Sequence, residues 1–86
     1  MIQIQWWRLS NDGSYYSKQD LKTHTARNRI EAENYMVGQR ELHKAFGNTC
    51  SVKMVKSRTG KRMRIIMRLR DGDTHYIAVS DAITLY

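Results

Sequence analysis

Ile2, Ile4 and Trp6 fall on one face of an extended segment at the start of the chain, and Gln3, Gln5 and Trp7 fall on the other. This period of two predicts a half-buried strand over residues 2–9 with Trp6 directed inward. The turn-forming run Ser10-Asn11-Asp12-Gly13-Ser14 ends it, with Gly13 available for a positive φ. Residues 15–17 fit a short strand returning along the first. Ser17 with Asp20 three residues later fits a helix N-cap with an acid in the first turn instead.

Helix is the expectation for residues 18–46. The stretch has no proline and one glycine, and Ala26, Ile30, Val37, Leu42 and Phe46 recur near helical spacing. The β-branched Thr23 and Thr25 lower helix propensity near its start, and Gly38 is a place for the element to kink or divide. Gly47-Asn48 closes it, because both residues tolerate the left-handed conformation that ends helices.

From Ser51 onward the period returns to two. Residues 51–57 and 62–70 read as strands joined by the tight turn Arg58-Thr59-Gly60-Lys61. Asp71-Gly72 is the strongest short hairpin signal in the chain and leads into a third strand over residues 74–80. The last six residues fit either a final strand or a short helix capped by Ser80 or Asp81. No repeat or linker interrupts the sequence. The predicted architecture is a single small α+β domain spanning residues 1–86, in β-α-β-β-β order, with an antiparallel sheet carrying one main helix on one face.

Composition narrows this picture. Eighty-six residues suffice for one core and not for two. With 41% apolar and 27% charged residues the chain resembles ordinary globular proteins. Its one cysteine, Cys50, has no intramolecular partner, which fits a reducing compartment. No apolar run approaches the roughly 18 residues that span a bilayer, and the alternating start is unlike a signal-peptide core. A cytoplasmic protein without membrane contact is expected. His24, His43 and His75 lack zinc-type spacing, so neither a metal nor another cofactor is expected.

Charge changes the picture most. Lys53, Lys56, Arg58, Lys61, Arg62, Arg64, Arg68 and Arg70 lie in a stretch without an acid, which therefore carries +8 of a net +7. The rest, with seven bases and eight acids, carries −1. A concentrated excess attracts phosphates over about a Debye length, whereas scattered lysines mainly serve solubility.

In the strand over residues 62–70, Met63, Ile65, Met67 and Leu69 point one way. Arg62, Arg64, Ile66, Arg68 and Arg70 point the other. Alternate residues on a strand lie roughly 6.5 to 7 Å apart, close to the step between phosphates of a nucleic-acid strand. Guanidinium suits such a row because its planar fork donates bidentately to phosphate. Lys53, Lys56, Arg58 and Lys61 are expected around the same rim. Trp7, opposite in direction to Trp6, is the candidate for stacking on bases. These residues point to a DNA- or RNA-binding protein that follows the backbone. A row of arginines on a solvent-facing strand also keeps an exposed sheet soluble.

Two other functions fit the same residues. A small inhibitor or regulator could dock its basic face on a larger protein, since charge steering serves both uses. A metal-independent ribonuclease needs bases on the scissile phosphate and one or two proton-transferring groups. His75, Tyr76 and Tyr86 are candidates for the latter, with Arg64 and Arg68 steadying the charge. In size, basicity and element order the chain is similar to the RelE-like messenger-cleaving toxins, which also end near a functional tyrosine. The likeness is architectural and covers no motif, and no residue is assigned a catalytic role from sequence. The oligomeric state is left open.

Overall fold

A computed structural model describes residues 1–12 and 16–85, with the side chains of residues 16–21 left out of the description. The elements are β1 (Ile2–Leu9), β2 (Tyr16–Ala26), α1 (Arg29–Ala45), β3 (Thr49–Lys56), β4 (Arg62–Asp71), β5 (Thr74–Ser80) and β6 (Ile83–Thr84). All strands pair antiparallel in one sheet of order β2-β1-β5-β4-β3, with β6 beside the start of β4. The helix packs on one face of that sheet, so the predicted α+β class holds. The β-α-β-β-β order is elaborated by a long second strand and a two-residue last one.

The second strand is where the sequence reading departs from the structure. Residues 18–26, expected to be helical, belong to β2, which runs back along β1 from Leu9↔Tyr16 to Ile2↔Ala26. The pairing shifts register on either side of Trp7, which allows 11 residues to match eight. Thr23 and Thr25 suit this extended backbone, and Ala26 ends it fully buried against the core. The turn residues Gly13 and Ser14, together with Tyr15, lie outside the described residues.

The helix begins instead at Asn28, whose Oδ1 accepts from the Glu31 backbone N–H at 3.0 Å. The Glu31 carboxylate in turn accepts from the Arg27 backbone N–H at 2.8 Å. One donor that helix geometry leaves without a partner, the Glu31 N–H, is thereby satisfied, the chain entering the helix is held at Arg27, and Glu31 also complements the positive end of the helix dipole. The helix runs through Gly38 to Ala45. Gly47 then adopts φ +81°, with Gly47 N–H donating to Lys44 O and Asn48 N–H to His43 O. This pair of bonds is the Schellman closure that Gly47-Asn48 predicts.

The helix buries Ala32 and Met36, not the residues whose spacing suggested it. Ile30 is 69% exposed and Phe46 72%, and Val37 and Leu42 are also exposed. Small Ala32 lets the helix approach the sheet along a narrow stripe. Beneath it lie Ile4, Trp6, Ile65, Met67, Leu69 and Ala78. Trp6 points inward as expected, and its indole N–H donates to the Tyr35 hydroxyl at 3.0 Å. Tyr35 stacks flat on His24 at 3.8 Å between ring centroids, which fastens β2 to the helix.

At the far end of the sheet β4 changes partner. Its pairing with β5 stops at Ile66↔Val79 and its pairing with β6 covers Arg62 and Met63. In the gap, the buried Ser80 hydroxyl accepts from the Ile65 backbone N–H at 2.8 Å. The chain after Ser80 still holds β1, through Asp81 N–H to Gln3 O and Gln3 N–H to the Asp81 carboxylate. The open question of the tail thus resolves as a short strand. Removing the Ser80 hydroxyl would strand a buried donor, which costs about 1 to 3 kcal/mol. Ser80→Ala is therefore expected to lose stability in that range and to speed amide exchange at Ile65. An unchanged unfolding midpoint would show that the bond carries no load.

Candidate nucleic-acid interface

The face of the sheet away from the helix is set by the alternation of β4. Met63, Ile65, Met67 and Leu69 are buried on the helix side, whereas Arg62, Arg64, Arg68 and Arg70 are exposed and Ile66 is half-buried on the open side. Directly paired residues share a face. The register therefore lays out rows across the open face. Trp7, Ile77, Arg68 and Ser51 form one, from β1 to β3. Gln5, Val79, Ile66 and Lys53 form the next.

The predicted site residues divide accordingly. Arg62, Arg64, Arg68, Arg70 and Lys53 come together on the open face, and Trp7 joins them two strands from Arg68. Neighbouring strands lie about 4.8 Å apart, so Trp7 stands roughly 10 Å away across Ile77. Lys56 does not join them, because it pairs with Met63 and so belongs to the helix side. Arg58 and Lys61 lie in the turn at the tip of the β3–β4 hairpin, where Gly60 takes φ +71°. Ser57 N–H donates to Arg62 O across its base, at 2.8 Å. The second hairpin turns about Gly72-Asp73, between paired Asp71 and Thr74, with φ +59° at Gly72 as a type II′ turn requires.

The electrostatics of this face are one-sided. Strands β1, β3, β4 and β5 place no acid on it; Asp71, the one acid in these strands, falls on the helix side by alternation. On the edge strand β2, Asp20 stands in register with Trp7. The ion pairs among the described residues, Arg29–Glu33 and Arg40–Glu41, are both on the helix. Arg62, Arg64 and Arg70 form none with a described residue, although Arg70 Nε donates to the Gly72 carbonyl at 3.0 Å. That bond braces one guanidinium over the turn and leaves its other donors outward.

A shallow depression of about 200 Å³ lies in the open face, lined by Ser51, Lys53, Val55, Ile66, Arg68 and Ile77. Sequence reasoning did not find it, because its walls come from three strands and its place depends on their register. Only the interruption of the arginine row at Ile66 signals it in the sequence.

The groups considered for proton transfer are dispersed. His75 pairs with Arg70 and shares the open face. Tyr76 pairs with Leu69 on the helix side, where it lines a cleft of about 250 Å³ with Trp6, Lys22, His43 and Asp71. Tyr86 lies outside the described residues. The three histidines stand apart, with His24 against Tyr35 and His43 beside Trp6 and Asn48. Burial near the helix end pushes the Cys50 thiol above its ordinary pKa, against the opposing pull of Lys44 and Arg40. It therefore stays protonated at neutral pH, which does not favour a nucleophilic role. No helix among the described residues is long and apolar enough to cross a membrane.

No protein-family model matches the chain, and neither a curated protein nor a solved structure matches it. The functional reading accordingly rests on the geometry of the open face.

Proposed function

We propose that this protein binds nucleic acid across the open face of its sheet, chiefly through the phosphate backbone and with little sequence readout. The observation that supports the reading is the convergence of Arg62, Arg64, Arg68, Arg70 and Lys53 on one face to which their own strands contribute no acid. Each base that meets a phosphate releases condensed counterions, so affinity derives from salt displacement more than from any individual hydrogen bond. Arginine adds direction, because its fork matches two phosphate oxygens at once. A free, protonated thiol suits the cytoplasm, where nucleic acid is also found.

Binding to DNA and RNA, measured across a salt series, tests the reading. Five bases on the face and two at the hairpin tip predict a log-log salt slope of about −4 to −6. Absence of binding in about 50 mM salt, where counterion release favours association strongly, would overturn it.

A further inference from the structure

The arginine row is not continuous. Arg62 and Arg64 form one pair and Arg68 and Arg70 another, and between them half-buried Ile66 lines the depression. On the reading that this face binds nucleic acid, we infer that the depression receives an unpaired base, so the protein takes single-stranded nucleic acid in preference to duplex.

The accessible floor of the depression is aliphatic, made by half-buried Ile66 and exposed Val55 over the buried Ile77, and its rim carries the two cations Lys53 and Arg68. An apolar floor gains nothing against a phosphate, which would lose hydration there without a partner. A base ring, by contrast, has a flat face that packs well on apolar side chains. Its phosphate can then remain at the rim with Lys53 or Arg68. Arg64 and Arg68 are four residues apart, or about 13 Å along the strand, which matches two phosphate steps of an extended single strand. The backbone can thus hold both arginine pairs while the nucleotide between them turns its base inward. A duplex keeps its bases stacked inside, and reaching one requires unpairing. With a duplex bound, Ile66 and Val55 would face phosphates or water.

Three ligands of equal length separate the outcomes: a single strand, the blunt duplex of the same sequence, and a single strand carrying abasic sites. The single strand is expected to bind about fivefold or more tightly than either of the others at one salt concentration, which is the lower end of what loss of a stacked base costs. Ile66→Ala is expected to bring the single strand down to the affinity of the abasic strand while leaving the salt slope unchanged. Equal affinity for the intact and abasic strands, or for strand and duplex, overturns the inference and leaves the backbone-binding reading standing. Failure of all three ligands to bind overturns both. The abasic comparison uses the unaltered protein, so the test does not depend on the variant folding.

Discussion

Replacing Arg62, Arg64, Arg68 and Arg70 together by alanine should lower affinity for a nucleic-acid strand by about three orders of magnitude in roughly 50 mM salt. Each phosphate contact on a single strand adds about 0.7 to the log-log salt slope, so four lost contacts flatten it by about 3. Extrapolated from about 1 M salt, where counterion release gives nothing, to about 50 mM, that change corresponds to more than three decades of affinity. The fold should survive, because these side chains are exposed and their removal relieves like-charge crowding along β4. Lys56→Ala is the internal control. It removes one charge from the same acid-free run, yet Lys56 lies on the helix side and should leave the slope nearly unchanged, where one lost contact on the open face would flatten it by about 0.7. A quadruple variant that keeps the parent's slope, or a Lys56 variant that flattens it by the roughly 0.7 of one lost contact, would show that placement on the face is irrelevant.

Met67→Ala is expected to remove much of the protein's stability. Met67 is 0% exposed at the centre of β4, between Val52 and Ala78 in the register. Truncating a buried methionine costs about 2 to 5 kcal/mol, through lost burial and the cavity left behind. A domain of this length has about 5 to 12 kcal/mol in total. A loss of about 3 kcal/mol lowers the Tm by roughly 12 to 24 °C. Ile66→Ala, one residue away on the opposite face, should cost about 1 kcal/mol or less, since that side chain is only half-buried. Thermal unfolding of the two variants reads this difference directly. Similar shifts for both would mean that β4 does not divide the protein into a packed side and an open one.

That division was the most legible part of the sequence. In β4 the demands of core and solvent alternate residue by residue, and Met63 to Leu69 record both. The start of the helix was obscured by Lys18, Gln19, Leu21 and Lys22, all good helix formers in a strand whose pairing with β1 is a tertiary event. The stronger cap signal was nonetheless present, since Asn28 with Glu31 three residues on meets the capping pattern more fully than Ser17 with Asp20. The helix's buried side was hidden for another reason: Ala32 and Met36 make a stripe too narrow to dominate the apolar spacing. Lys56 was readable and was grouped with Lys53 by charge, though an interval of three puts two strand residues on opposite faces. Of the depression the sequence shows only the break in the arginine row at Ile66, as its walls exist only once three strands are set in register.

The change of partner along β4 has a mechanical consequence. Where β5 leaves to stay with β1, the sheet forks, and the arm formed by β3, the start of β4 and β6 is tied to the rest by fewer backbone bonds than the centre. Segments so held open at a lower free energy than a fully laddered centre. Arg68 and Arg70 lie in the half laddered on both sides and Arg62 and Arg64 on the arm, so local opening is expected to expose backbone amides around the second pair before those around the first.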